Sequence, residues 1–341
     1  MSFFKHKVLF RCDAANIPEL GTGHLYRCIT IAKLLKKKFR LKNNKIAFLI
    51  KSTKKYKKGI DILKSYKFRI IKISNGNIKP NSSNEIRYFT NNSSNLLIID
   101  RMGKINNNFF NAIKNSFKKK IILDDSSLTR KYFDLSLNPL VHNVPKFKNA
   151  HIGFDYHILP SFFFDKKIKV RRNNIFVLFG GYDKKNLTKR IVKILNFNPN
   201  RINIFLHKSF KKNFKNIISK NNLFFFDNHS YLTRLKSSNI AITAGGIGLF
   251  DGIFLNKRII CIPQYKHQEI NANKIPVKRV INLINTKDKS FAESFIKLFI
   301  KMYQSKKKQK KLTSLQKRVV NSKKIKKTLK LIFNLYDKSK Y

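Results

Sequence analysis

The sequence contains no tryptophan and little of several other residue types, and each shortage excludes a class of protein. It has three cysteines, which form neither the even set of a disulfide framework nor the spacing of a zinc site. We therefore expect reduced packing residues and no metal. No apolar run approaches the roughly 20 residues that a membrane-spanning helix needs. Residues 1–5 are basic and do not begin a signal peptide. These absences predict a soluble, cytoplasmic protein.

Acidic residues are also scarce: the chain has 17 Asp and Glu against 74 Lys and Arg, a formal net charge of +57. Such an excess usually indicates a nucleic-acid partner or an anionic membrane surface. Here the lysines are spread along the whole chain among asparagine, isoleucine and phenylalanine, a pattern that a genomic bias toward A/T-rich codons produces. We therefore expect no nucleic-acid partner, while peripheral contact with an anionic membrane stays open. The sequence does not indicate an oligomeric state.

Short apolar strands alternate with helical patterns in both halves of the chain, which predicts an α/β fold with two Rossmann-like parallel-sheet domains. The first domain is predicted over residues 1–160, the second over 161–303, and lysine-rich helices over 304–341. The polar stretch 74–94 is predicted to be a loop with one helical turn at most, and 138–160 an interdomain linker. The predicted strands are 8–10, 45–50, 68–73, 96–100 and 120–125, then 174–179, 201–206, 222–226, 239–243 and 259–263.

The most informative stretch is the turn at residues 21–27, which joins the first strand to a helix. Gly21 and Gly23 allow the backbone to turn tightly and to approach a ligand, and the first amides of the helix are free donors. His24 would lie at the carboxyl end of a strand, where open α/β sheets bind their ligands. Together with Arg27, one helical turn later, the glycines favour a functional His24 over a histidine that merely caps the helix.

Two acids, Asp100 and Asp124, directly follow apolar strands of the first half. This position is at the ligand-binding edge of a parallel sheet. It is equally typical of a residue that caps the next helix. The sequence leaves both interpretations open for each of the two acids.

The second half contains two more turns that join a strand to a helix, one with Gly180 and Gly181, the other with Gly245 and Gly246. Backbone amides at the helix start after Gly245 and Gly246 can bind a diphosphate. Asp251, one turn into the second of these helices, could accept hydrogen bonds from ribose hydroxyls. The alternative is a tight turn demanded by packing alone. The glycine spacing differs from G-x-G-x-x-G, so no nicotinamide cofactor is predicted.

A further predicted helix begins with polar residues at His267, Gln268 and Asn271, which helical spacing places on one face. Such a face suits substrate binding, although a solvated helix surface would look the same. The C-terminal segment has the apolar spacing of one or two amphipathic helices, interrupted at Asn321 and Ser322. Because the interruption breaks a continuous apolar face, we expect docking on the two domains rather than membrane contact.

Four separated stretches together resemble one family: residues 12–14 with 21–28, 179–183 with 186–188, 244–246, and 267–268 with 271–272. In order and in strand-turn-helix context they resemble the UDP-2,4-diacetamido-2,4,6-trideoxy-β-L-altropyranose hydrolases of the pseudaminic acid pathway and the SpsG-like proteins of spore coat polysaccharide synthesis. Both look like relatives of MurG-type glycosyltransferases. The resemblance implies a GT-B-like fold, with two Rossmann-like domains facing across a cleft.

The resemblance also implies a UDP-sugar substrate and roles for individual residues. His24 would act as general base on a water that attacks the anomeric carbon, and UDP would leave with inversion. No metal or other cofactor is required, because fixed amides and lysines could neutralise the leaving group. The substrate-binding residues would be Asp13, Gly21, Gly23, Arg27, Gly180, Gly181, Gly245, Gly246, Asp251, His267, Gln268 and Asn271.

Two departures from the hydrolases leave the acceptor open. After the acid that corresponds to Asp100 the hydrolases have a histidine-tyrosine pair, whereas this chain has Arg101 and Met102. They have Glu-Asn-Gln where this chain has Lys-His-Gln at 266–268, a form closer to the transferases. We expect a hydrolase of a UDP-linked deoxy-amino sugar in nonulosonic acid or surface polysaccharide synthesis. A glycosyltransferase with a sugar or lipid-linked acceptor is the alternative, and a basic binding protein without chemistry is the third candidate.

Overall fold

A computed structural model describes residues 4–15, 20–74, 78–140, 143–197, 201–214, 219–277, 279–286, 290–305 and 309–340. The chain forms two compact units. The first comprises Met1–Ile158 and Ser322–Tyr341, and the second comprises Leu159–Asn321. Within the described ranges, no helix has both the length and the apolar character needed to cross a membrane.

The first unit is built on a seven-stranded parallel sheet. Its strands are β1 (His6–Cys12), β2 (Ile46–Lys51), β3 (Arg69–Ile73), β4 (Ser94–Asp100), β5 (Phe117–Leu123), β6 (Leu135–Asn138) and β7 (Ala150–Ile152). They are hydrogen-bonded in the order β3-β2-β1-β4-β5-β6-β7. The helices between them are α1 (Gly23–Phe39), α2 (Lys57–Ser65), α3 (Ser83–Thr90) and α4 (Asn107–Ile113). Because helices cover both faces, the central strands are continuous apolar runs, and Leu9 and Leu97 are completely buried.

The second unit repeats this design with six parallel strands. They are β8 (Arg171–Leu178), β9 (Asn203–His207), β10 (Asn222–Phe226), β11 (Ser238–Thr243), β12 (Arg258–Cys261) and β13 (Asn282–Leu283), in the order β10-β9-β8-β11-β12-β13. The helices are α5 (Leu187–Leu195), α6 (Tyr231–Ser237), α7 (Ile247–Phe254), α8 (Lys266–Asn273), α9 (Phe291–Gln304) and α10 (Gln309–Val319). In both units the carboxyl ends of the parallel strands lie at one edge of the sheet, which is the edge that binds ligands in such folds.

The last helix, α11 (Ser322–Lys338), belongs to the first unit, whereas α10 belongs to the second. The amide Nε2 of Gln316 on α10 donates to the carbonyl of Lys257 at 2.7 Å. On α11, Tyr336 packs against Phe39 of α1, with ring centroids 4.5 Å apart. The predicted amphipathic helices and their interruption are confirmed, and the C-terminal segment is divided between the two units.

Two stretches are more regular than the sequence predicts. The polar stretch 74–94 contains α3, in which Ser82 caps the amide of Glu85 and Phe89 is buried. The predicted linker 138–160 contains β7, a three-residue edge strand that pairs with β6. The loop prediction for 74–94 is wrong because the signal is short: α3 has one large buried apolar side chain. The boundary between the two units, Ile158 to Leu159, does fall within the predicted linker, but the stretch before it belongs to the first unit and includes β7, whose three residues cannot show a periodicity.

Candidate active site

His24 lies in the first turn of α1, directly after the link from β1. Gly21 has a φ of 54°, a left-handed conformation that suits glycine. The helix is preceded by Thr22 as the N-cap residue, while the imidazole of His24 points to Asp100, with 2.5 Å between Nδ1 and Oδ1. The helix-capping interpretation of His24 is therefore wrong. Its side chain is 25% exposed, so Nε2 is the ring nitrogen that can reach a ligand.

Asp100 is the last residue of β4, and its side chain is completely buried. Its carboxylate accepts hydrogen bonds from His24 and, at 2.7 Å each, from Nε and Nη2 of Arg27. Burial alone would raise the pKa of Asp100, but the charges of Arg27 and then His24 outweigh burial and hold that pKa well below its usual range. The next helix, α4, is capped by Asn106, so Asp100 is not a helix cap.

Arg27 is predicted from the sequence to bind substrate, but the structure places it elsewhere. Its side chain is 2% exposed and lies between two carboxylates, with Nη1 donating to Oδ2 of Asp124 at 2.5 Å. Burial would lower the pKa of Arg27, and Asp100 and Asp124 together raise it. Asp124 also accepts the amide of Leu140 at 2.9 Å, so it does not cap a following helix. Arg27 thus holds the two acids together rather than facing a ligand.

Asp13 follows β1 directly and belongs to a second set of buried charges. Its Oδ1 lies 2.8 Å from Nη1 of Arg11 and accepts the amide of Lys51 at 3.0 Å. Arg11 also pairs with Glu85, which in turn pairs with Arg101. Burial would raise the pKa of Asp13, but Arg11 lowers it. The side chain of Asp13 is only 9% exposed, so substrate binding by this residue stays a prediction.

The glycine-rich turn after β11 has two glycines with different surroundings. A Cβ on Gly245 would lie 2.2 Å from the carbonyl oxygen of Gln268, so packing against α8 requires glycine there. A Cβ on Gly246 would meet nothing within 4 Å. Gly246 is the N-cap of α7, which has no side-chain cap and no acid in its first turn. The packing alternative therefore explains Gly245, whereas Gly246 borders open space at a helix start, as an anion site requires.

The turn after β8 is less open to an anion. Gly180 has a φ of 84° and nothing within 4 Å of a Cβ, and Gly181 is half-buried. The carboxylate of Asp183 accepts the amides of Leu187 and Thr188 at 2.9 and 2.7 Å. The start of α5 is therefore already occupied by a negative charge. Diphosphate binding by Gly180 and Gly181 stays a prediction.

Asp251 lies inside the second unit rather than at its surface. It is 1% exposed, and its carboxylate accepts the amide of Ser161 at 3.1 Å and the hydroxyl of Tyr231 at 3.0 Å. Burial raises the pKa of Asp251 to about 6, although both hydrogen bonds act in the opposite direction. This geometry does not support the predicted hydrogen bonds to ribose, because both oxygens are engaged within the protein.

The three polar residues at the start of α8 are separated by their surroundings. His267 is exposed and stacks on Tyr265, with ring centroids 5.6 Å apart. Gln268 accepts the amide of Gln264 at 2.9 Å and so fixes the turn before the helix. Asn271 is 5% exposed. A uniformly solvated face therefore does not describe α8, and substrate binding by these residues stays a prediction.

Sequence reasoning did not find the joint role of Arg27, Asp100 and Asp124, although each was singled out. Only part of the signal was present in the spacing; the rest depends on which strands pair. Arg27 follows His24 by three residues, which puts both on one face of α1. The two acids end the paired strands β4 and β5 or directly follow them, so their side chains meet at one edge of the sheet.

No family model matches this chain. An uncharacterized protein of Methanocaldococcus jannaschii is 28% identical over 289 residues, which are 73% of this chain and 54% of that protein. The chain thus spans about half the length of the curated relative that it matches.

Solved structures establish the fold. MurG of Acinetobacter baumannii matches with a TM-score of 0.60 and 13% identity over 96% of this chain and 99% of MurG. A calicheamicin glycosyltransferase matches with a TM-score of 0.62 and 8% identity over 97% of each chain. A UDP-GlcNAc 2-epimerase of Neisseria meningitidis bound to UDP-GlcNAc matches with a TM-score of 0.53 and 11% identity over 97% of this chain and 100% of the epimerase. The predicted GT-B-like fold is confirmed, and the narrower resemblance to the hydrolases stays a prediction.

Proposed function

We propose that this protein is a GT-B enzyme that cleaves the anomeric C–O bond of a UDP-sugar and transfers the sugar to a hydroxyl acceptor. In this proposal the second unit binds UDP and the first supplies the general base. The observation that carries it is the His24–Asp100 pair, a partly exposed imidazole held through Nδ1 by a buried carboxylate. The likeness in fold to a glycosyltransferase and to an epimerase bound to UDP-GlcNAc supports the choice of donor.

The chemistry follows from the orientation of the ring. Nε2 of His24 takes the proton of the acceptor hydroxyl while the oxygen of that hydroxyl forms a bond to the anomeric carbon. The bond from that carbon to the phosphate oxygen breaks, and UDP leaves with the electron pair. Asp100 keeps the ring oriented and stabilises the imidazolium that forms. A positioned base of this kind typically contributes about 10²- to 10⁴-fold in rate.

The diphosphate is assigned to the start of α7. Gly246 leaves open space there, and the helix has no side chain that already caps its first amides. Free amides and the helix dipole favour a negative group at this position. The lysine-rich surface adds a positive potential that attracts an anionic donor.

Hydrolysis is the second candidate, with water in place of the acceptor hydroxyl and the same base. It is supported by the resemblance of residues 21–28 and the three other stretches to the UDP-sugar hydrolases. The product would be a free deoxy-amino sugar. The form at 266–268 is closer to the transferases and favours transfer, whereas Arg101 and Met102 only depart from the hydrolases.

The experiment is incubation of the purified protein with a panel of UDP-sugars in ¹⁸O-labelled water, with and without sugar and lipid-linked acceptors. Transfer predicts UDP release that depends on an acceptor and no label in the product. Hydrolysis predicts UDP release without acceptor and one ¹⁸O in the free sugar. A UDP-sugar recovered with altered ring configuration would indicate an epimerase and contradict both. No turnover, combined with salt-sensitive binding to nucleic acid, would favour a basic binding protein.

A further inference from the structure

A chain of four charged or titratable groups runs through the first unit behind the exposed imidazole. It consists of Asp124, Arg27, Asp100 and His24, and we call it the charge chain. The three contacts along it are 2.5 Å from Asp124 to Arg27, 2.7 Å from Arg27 to Asp100, and 2.5 Å from Asp100 to His24. The groups come from α1, from the end of β4 and from the residue after β5, so the fold itself brings them together.

We propose that Asp124 is a positioning residue for the catalytic pair: by pairing with Arg27, it keeps the negative charge of Asp100 available to His24. This inference rests on the proposed role of His24 as the base. Asp124 has no assigned part in the chemistry, and it acts only through Arg27.

The reason is a balance of charge. Arg27 and Asp100 alone would form a neutral pair, and a neutral pair gives little support to a positive charge on His24. With Asp124 the three groups carry a net charge of −1, which favours the imidazolium that forms when the ring accepts a proton. Because Arg27 and Asp100 are buried, solvent and salt screen these interactions only weakly.

Asp124 also fixes the geometry. Because Nη1 of Arg27 is directed to Asp124, the remaining donors Nε and Nη2 form a two-point contact with Asp100. The other oxygen of Asp124 accepts the amide of Leu140, so the acid is anchored on both sides. Asp124 has a φ of 48°, a left-handed conformation that is uncommon for residues other than glycine. The contacts to Arg27 and Leu140 thus hold a backbone conformation that is not the preferred one.

The other titratable groups beside Asp100 are cysteine thiols. Sγ of Cys28 lies 3.8 Å from Oδ2 of Asp100 and is close to Cys12. Burial, with Cys12 and Asp100, raises the pKa of the Cys28 thiol well above its ordinary value, so this thiol stays uncharged at neutral pH. Apart from these thiols, the charged or titratable partners of Asp100 among the described residues are thus His24 and Arg27, and the carboxylates on Arg27 are Asp100 and Asp124.

The test is Asp124→Asn in the full chain, with two readouts. The His24 ring signals in NMR spectra, assigned by their loss in His24→Ala, are followed through a pH titration. We expect their midpoint to lie at lower pH than in the wild type, because the substitution removes a negative charge that favours the imidazolium. The acid limb of the pH–rate profile should move to lower pH together with this midpoint. kcat should decrease because the base is weaker, while KM for the donor stays within about twofold.

Asp155→Asn is the matched control, because Asp155 is an acid of the same unit that pairs with Lys324 at the surface. This variant should keep the wild-type midpoint and profile. A second variant, Arg27→Lys, keeps the charge and loses the two-point contact. We expect Arg27→Lys to lower kcat and to change the midpoint of the His24 titration less than Asp124→Asn does. If Asp124→Asn does not fold, Arg27→Lys provides the test.

A midpoint in Asp124→Asn equal to that of Asp155→Asn would overturn the inference, as would wild-type kcat in Arg27→Lys. The titration needs no substrate, so it is independent of the proposed function. A shifted midpoint in a protein that turns over no UDP-sugar would support the charge chain and contradict the proposed enzyme.

Discussion

At the scale of single residues, the scarcity of acids makes their positions informative. The chain has 17 acids, and buried ones occur at the ligand-binding edge of the first unit. A buried carboxylate is costly unless it is paired or hydrogen-bonded. Each of these acids has such a partner, whether an arginine or a backbone amide. Among the residues of this unit that the structure describes, the buried acids are Asp13, Glu85, Asp100 and Asp125.

Gly245 and Gly246 give a matched pair of substitutions. Gly245→Ala places a methyl group against the carbonyl of Gln268 and should lower the free energy of unfolding by about 1–3 kcal/mol. Gly246→Ala meets open space, so stability should change by less than about 0.5 kcal/mol, while UDP binding weakens by about tenfold. Urea unfolding and calorimetry measure the two effects. Equal UDP affinity in Gly246→Ala and wild type would remove α7 as the diphosphate site.

Asp251 should make the stability of the second unit depend on pH. Its pKa is raised from the ordinary 3.8 to about 6, so between these values the folded protein binds more protons than the unfolded chain. Its contribution therefore lowers stability as pH rises from about 4 to about 6, by roughly 3 kcal/mol in total. An asparagine side chain does not titrate, so Asp251→Asn lacks this loss of stability. The free energy of unfolding of Asp251→Asn minus that of wild type, measured in urea, should therefore rise from about pH 4 to about pH 6. A difference that stays constant with pH would show that Asp251 is ionised throughout.

At the scale of elements, α11 completes the core of the first unit although it comes last in the chain. Ile332 is completely buried, while Lys330 on the same helix is exposed. Ile332→Ala should lower the free energy of unfolding of this unit by about 2–5 kcal/mol, because it leaves a cavity. Lys330→Ala is the control and should change it by less than about 0.5 kcal/mol. Thermal unfolding followed by circular dichroism compares them, and equal midpoints would contradict the packing of α11.

Elements with long apolar runs could be predicted from the sequence, and those defined by distant contacts could not. The longer strands of both sheets were predictable because parallel strands are buried on both faces. The short strands β6, β7 and β13 were not predicted, because two to four residues show no pattern. The helix α3 was not, because its buried Glu85 is stabilised by Arg11 and Arg101, which lie far away in sequence. In the site, the glycine turn was enough to place His24 at the sheet edge. The pairing of Arg27 with two acids depends on the pairing of β4 with β5, which no local pattern contains.

At the scale of the whole molecule, the net charge of +57 acts through its long-range potential. An anionic donor should be attracted to the protein, and added salt should screen that attraction over a Debye length of about 10 Å at 0.1 M. KM for a UDP-sugar is therefore expected to rise with ionic strength, while kcat at saturation changes little. Steady-state kinetics over a series of salt concentrations measure both. A KM independent of salt would mean that the surplus lysines do not act on the donor.

The most direct test of the central claim separates the chemistry proposed for the first unit from the UDP binding proposed for the second. His24→Ala is compared with wild type in single-turnover UDP release from a saturating UDP-sugar, in the presence of the acceptor that supports wild-type turnover, and UDP affinity is measured by calorimetry. We expect the rate to fall by about 10²-fold or more, with Kd for UDP unchanged within about twofold. Full turnover in His24→Ala would contradict the account.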